Sequence, residues 1–162
     1  MKKLRELLGY LLGGLVFVLL VPWGMWWLSG RPVLWDGGVS WRVALAWELM
    51  AVGLALALSV WTIVYMRRKG DGNPMDAFGH EVAPRTKYLM TEGPYRINRN
   101  PMLTGVFAYL AGICLWLWAW QAVTAFAVFV AVMLLQVRTE ENRLRKDFGD
   151  DYEDYCRRTR RF

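Results

Sequence analysis

Histidine occurs once in this chain, at position 80, and cysteine twice. A lone loop histidine with no cysteine or histidine partner at ligand spacing makes no metal site. Cys114 falls in a hydrophobic run and Cys156 in a charged tail, so the two set up no disulfide framework and read as free thiols. A glycine fingerprint for dinucleotides is missing too. Gly70-x-Gly72 lacks the third glycine at the required spacing and follows an apolar helical run instead of a strand. No stretch has the composition of a soluble nucleic-acid-binding module. Acidic residues are the minority, fourteen against twenty basic ones, and the basic ones cluster beside hydrophobic segments, as contact with an anionic leaflet favours.

What the chain has in abundance is apolar length. Of its 162 residues 56% are hydrophobic, and they are gathered into long runs, which predicts one all-α domain built as a polytopic membrane protein. The first run, 7–28, follows Lys2, Lys3 and Arg5 and enters from the cytoplasmic side. It is long for a cleaved signal, and Pro22, Trp23, Trp26 and Trp27 offer no small-residue cleavage site. A second span, 43–66, ends in Arg67, Arg68 and Lys69, which keeps that end inside. A polar loop over 67–101 with Pro74, Pro84 and Pro94 should be mostly irregular and cytoplasmic, and loops of this length are usually functional or disordered. Two further spans, 102–118 and 122–137, form a hairpin, so four transmembrane helices place both termini in the cytoplasm. Trp23, Trp26, Trp27, Trp35, Trp41, Trp47, Trp116, Trp118 and Trp120 all fall near the outer boundary of that topology, as an aromatic belt does; Trp61 lies elsewhere. The tail, 138–160, should extend the fourth helix, break near Gly149 and resume as a short helix with Phe148, Tyr152 and Tyr155 on an apolar face.

Two polar clusters then share one compartment. Gly93-Pro94-Tyr95-Arg96 through Arg99-Asn100-Pro101 precedes the third span, and Arg138, Glu140, Glu141 and Arg145 follow the fourth. A hairpin of matched helices returns the chain to its starting depth, which makes Arg99 and Glu141 neighbours. Pro101 suits the first turn of a helix with Asn100 as its cap, and an amide-lined helix start favours an anion. Taken alone, the first cluster is equally a loop beside anionic headgroups, and the second a solvated helix face. Glu48, inside the second span near its outer end, is better read as structural, within reach of headgroups or Arg42.

The series Leu89-x-x-Glu92-Gly93-Pro94-Tyr95-Arg96-x-x-Arg99-Asn100-Pro101-Met102, a hydrophobic hairpin, Glu140-Glu141-x-x-Leu144 and Phe148-Gly149-x-x-Tyr152-x-x-Tyr155 resembles the isoprenylcysteine carboxyl methyltransferase and phospholipid N-methyltransferase superfamily. Asp71-Gly72-Asn73-Pro74 is similar to the Gly-Thr-Pro turn of bacterial relatives. The resemblance implies an integral membrane enzyme that binds S-adenosylmethionine on the cytoplasmic side and methylates a lipophilic acceptor from the bilayer. It implies that Gly93, Tyr95, Arg96, Asn100, Pro101, Met102, Glu140 and Glu141 hold the cofactor and that Arg99 and Glu141 serve catalysis. The chain departs from the best-known members at Asn100, where they have His, at Leu103, where they have Tyr, and in the Arg-x-Pro of the tail, where Arg160-Arg161-Phe162 stands. Asn cannot titrate near neutral pH, so acid-base work at position 100 is weakened.

Prenylcysteine carboxylate, a phospholipid amine and other isoprenoid or lipid-like acceptors all suit such a site. Alternatives of other classes are an NADPH-dependent membrane reductase of the sterol-reductase type and a non-catalytic lipid-binding membrane protein. Small residues, Gly9, Gly13 and Gly14 in the first run and Gly53, Ala55 and Ala57 in the second, permit close helix packing within or between chains, and the oligomeric state stays open.

Overall fold

The computed structural model describes residues 15–30, 40–57, 76–77, 80–81 and 88–162. Helix dominates: a π-helical turn Leu15–Leu20 runs into α1 (Val21–Leu28), followed by α2 (Trp41–Ala57), α3 (Pro101–Leu117) and α4 (Trp120–Arg158). The fold of the described residues is all-helical as expected, apart from one short strand pair in the polar loop. A two-residue antiparallel pair joins Asp76–Ala77 to His80–Glu81, and a 3-10 turn occupies Gly93–Arg96. Each of the four apolar runs therefore holds a helix. Among the described residues one helix, α4, is by itself long and apolar enough to cross a membrane; Leu15–Leu28 and Pro101–Leu117 are shorter apolar helices. The N-terminal part of the first run, the end of the second at 58–66, Trp35, Trp61, the basic residues at 67–69 and the motif at 71–74 lie outside the described residues.

By internal contacts the chain divides into two compact units. One comprises Gly14–Leu58 and Met102–Val132, and its core gathers Met25, Ala46, Met50, Val106, Leu110 and Ile113. Here α2 and α3 cross with no room for side chains at two points. A Cβ on Gly53 would lie 2.3 Å from the Tyr109 backbone nitrogen, and one on Gly112 would lie 2.7 Å from the Ala46 carbonyl oxygen. The close packing that Gly53 permits is thus made within the chain. Ser40 begins α2 by accepting a hydrogen bond from the Val43 N–H, 3.4 Å from its hydroxyl.

The π-helical turn has a cause in the sequence. Pro22 has no N–H to give the Val18 carbonyl, and its ring crowds that turn. The carbonyl of Val18 instead accepts from the Tyr109 hydroxyl at 3.1 Å. At the other end, α3 turns into α4 through Trp118 and Ala119, with Trp118 at a φ of 49° and the Arg42 guanidinium 4.9 Å above its ring. Arg42 is therefore engaged by an aromatic face, and Glu48 is exposed on α2.

The second unit comprises Met1–Gly13, Ser59–Pro101 and Met133–Phe162. Its described core is built from Met90, Val137, Tyr152 and Tyr155, with Asn98, Glu141 and Thr159 as buried polar members. Helix α4 is interrupted at Gly149, whose φ of 52° and ψ of −125° are open to glycine and strained for an L-residue. The break falls where the composition predicts it.

Candidate functional site

Glycine also opens the loop that carries the first polar cluster. Gly93 sits at a φ of 61°, and Pro94 follows it into the 3-10 turn, so the chain bends sharply where a side chain at 93 would strain it. The Tyr95 N–H closes this turn on the Glu92 carbonyl at 3.2 Å. A second local device follows: the Asn98 side-chain oxygen accepts from the Asn100 N–H at 3.0 Å, an Asx turn leading to Pro101 at the head of α3. Within the second of these turns the Arg99 side chain is driven inward and remains 12% exposed.

The partner it meets comes from α4. Glu141 is buried, and its Oε1 lies 3.4 Å from Nη2 of Arg99. Arg161 approaches the same carboxylate as a fork: Nε donates to Oε1 at 2.9 Å and Nη2 donates to Oε2 at 2.7 Å. These hydrogen bonds push the Arg161 guanidinium above its ordinary range, against the opposing effect of burial. Arg99 also donates from Nη1 to the Cys156 sulfur, while its Nε is buried with no hydrogen-bond partner. An orphaned guanidinium N–H beside a buried carboxylate suits a ligand that brings an acceptor of its own, such as a carboxylate.

The segment after Gly149 completes the cluster. Tyr155 donates from its hydroxyl to the Tyr95 carbonyl at 2.6 Å, which ties the 3-10 turn to this segment. Tyr152 is fully buried; burial first, then the charge on Glu141 and the neighbouring Cys156, pushes its phenol well above the ordinary range. Across the break, Arg145 holds Glu153 at 2.7 Å and stacks over the Tyr152 ring at 5.7 Å. The backbone beyond α4 reaches the loop as well, with the Arg160 carbonyl accepting from the Arg99 N–H at 2.9 Å and the Arg161 carbonyl from the Asn100 side chain at 3.1 Å.

Of the residues singled out from sequence, Arg99, Asn100 and Glu141 share one hydrogen-bonded network, Tyr95 joins it through its carbonyl, and Gly93 and Pro101 frame the loop. Arg96 is exposed at the end of the 3-10 turn. Glu140 projects from another face of α4, where it pairs with Arg143 at 3.6 Å. Met102 lies in the first turn of α3 and belongs to the other compact unit. Sequence reasoning missed Arg161, Cys156 and Asn98. Arg161 sits among consecutive basic residues that read as tail charge, and Cys156 reads as an unattached thiol; the Asx spacing of Asn98 before Asn100-Pro101 is the one local signal that could have been used.

A family model described as phospholipid methyltransferase matches residues 41–151. No curated protein and no solved structure matches the chain.

Proposed function

Since the chain belongs to the phospholipid methyltransferase family, we propose that it transfers a methyl group from S-adenosylmethionine to a lipophilic acceptor at the cytoplasmic face of a membrane. The observation that carries this reading is the buried Arg99–Glu141 pair with an unpartnered Arg99 Nε. The donor set fits the cofactor, which offers a carboxylate, an ammonium group and ribose hydroxyls. When bound, S-adenosylmethionine supplies a methyl group on a sulfonium, ready for displacement by a nucleophile. The work of the protein is then positional. The Arg99 Nε–H holds a carboxylate, and a Glu141 lone pair left free by the two guanidiniums accepts from a hydroxyl or ammonium. Asn100, fixed by its hydrogen bond to the tail, shapes the entrance to α3. Orientation of this kind, with water excluded, lowers a displacement barrier by several kcal/mol without a covalent intermediate.

Membrane integration is supported by the surface of α4. Little of its most apolar stretch is buried, which favours a lipid-facing helix over the core helix of a soluble fold. Val123, Val128, Val132 and Leu135 are exposed along it, a surface suited to lipid. Arg138, Arg143 and Arg145 follow on the same helix, as positive-inside orientation requires. The acceptor classes are a phospholipid amine, a prenylcysteine carboxylate or a related isoprenoid lipid.

Calorimetric titration of the detergent-purified chain with S-adenosylmethionine, S-adenosylhomocysteine and NADPH tests the assignment. Binding of the adenosyl compounds that Glu141→Ala abolishes is the expected result. Binding of NADPH alone would replace it with a reductase, and binding of none by folded protein would leave a lipid-binding scaffold.

A further inference from the structure

The residues beyond α4 make contacts that a solvated tail has no reason to make. Helix α4 ends at Arg158, and Thr159, buried, closes its last turn by donating to the Tyr155 carbonyl at 3.0 Å. From there Arg160 and Arg161 both bond to the candidate site. The Arg160 carbonyl takes the Arg99 N–H, the Arg161 carbonyl takes the Asn100 side chain, and the Arg161 guanidinium takes both oxygens of Glu141. Three site residues on two separate elements are thus held by two consecutive residues. Those two lie beyond the 41–151 region that matches the family.

We propose that Arg161 is a positioning residue for the transfer reaction, an inference that rests on the methyltransferase reading. A carboxylate on a helix has rotamer freedom, and a single ion pair to Arg99 at 3.4 Å leaves it able to turn. A parallel fork removes that freedom, because two N–H donors in one plane match the two oxygens in one orientation. The Glu141 lone pair left for a ligand therefore points in one direction. Charge adds to this: two guanidiniums and one carboxylate (2 − 1) leave the trio with one net positive charge, so an anionic ligand group meets attraction while Glu141 still offers an acceptor. Arg161, 38% exposed at its side chain against 12% for Arg99, forms the outer side of the trio. Lysine cannot replace it fully, since an ammonium cannot form the fork.

The test measures S-adenosylhomocysteine affinity by calorimetry on the full chain in detergent, for the wild type, Arg161→Ala, Arg161→Lys, Glu141→Gln and the Arg161→Ala/Glu141→Gln double variant. Arg161→Ala should weaken binding by about ten- to a hundredfold, the range that outer-shell hydrogen-bond partners command at metal sites. Arg161→Lys should recover only part of the loss. In the Glu141→Gln background Arg161→Ala should cost little more, because both act through one carboxylate. Wild-type binding that Arg161→Ala leaves unchanged, or losses that multiply in the double variant, would overturn this role and leave the family reading intact. A wild-type chain that binds no adenosyl compound would overturn both. Thermal melting of each variant separates these outcomes from unfolding, and Arg161→Gln, neutral yet able to donate, supplies a second variant should Arg161→Ala fail to fold.

Discussion

The Arg99 guanidinium stands 3.4 Å from the Glu141 carboxylate, joining the residue two places before α3 to the buried face of α4. Both side chains are largely shielded from solvent. Removing Glu141, the one carboxylate between the Arg99 and Arg161 guanidiniums, leaves buried charge uncompensated and costs about 3–5 kcal/mol, so the gentler substitution is the more informative one.

Glu141→Gln keeps the shape and one acceptor oxygen. It should lower methyl transfer by about a hundredfold or more, as loss of one positioned electrostatic group does, while the chain remains extractable and melts cooperatively. Arg99→Ala should abolish transfer and adenosyl binding together. A radiolabelled-methyl assay on membranes containing each variant reads both, and full activity in both would remove the pair from the site.

Tyr152 predicts a pH response at the alkaline end. Its folded phenol titrates above the ordinary 10.0, chiefly through burial, so the neutral form is favoured by the fold. The stability it contributes is complete below pH 10 and is lost as pH climbs through the folded value. Chemical-denaturant midpoints of wild type and Tyr152→Phe should run parallel from neutral pH to about 9 and diverge in slope only above 10, where the wild type falls faster.

The crossing of α2 on α3 predicts intolerance at two glycines. Gly53→Ala and Gly112→Ala each place a methyl against backbone, 2.3 Å and 2.7 Å from the nearest atom, and backbone cannot turn aside as a side chain can. Each should cost on the order of 1–3 kcal/mol, the range for overpacking, seen as a lower melting temperature in detergent. Gly24→Ala, with no atom near its added carbon, is the control that should leave melting unchanged or raise it.

Tyr109→Phe should cost about 1 kcal/mol through the unsatisfied Val18 carbonyl. Pro22→Ala restores an N–H in the turn that could serve that carbonyl. In its background Tyr109→Phe should cost less, and equal penalties in both backgrounds would show that the hydroxyl and the proline act independently.

Much of this was legible from the sequence, for a physical reason. Long apolar runs bounded by charge mark helices, and two runs of similar length joined by a few residues must return the chain to its start, which is why Arg99 and Glu141 could be paired from spacing alone. The break at Gly149 was legible because glycine inside a charged helical stretch, followed by Asp150 and Asp151, carries both a stop and a start signal. Arg161 was not legible. Its role depends on a chain reversal and on backbone carbonyls at 160 and 161, and carbonyls have no letter in a sequence. Glu140 and Glu141 looked interchangeable as neighbours, but a helix turns roughly 100° between consecutive residues, which sends one to Arg143 and the other into the core. The Val18 carbonyl likewise found its donor in Tyr109, far along the chain, a partner that no local pattern announces.

Gly149 makes no contact that a methyl group would disturb, since nothing lies within 4 Å of where a Cβ would be. What it contributes is handedness. A φ of 52° with ψ of −125° is the mirror image of a conformation that L-residues adopt with ease, so a D-alanine would sit there comfortably and an L-alanine would not. Tyr152 and Arg161 thus reach Glu141 through the one position in α4 where the chain sets aside the chirality of its own building blocks. A missense change at this empty spot would present, in any functional survey, as damage to a site it never touches.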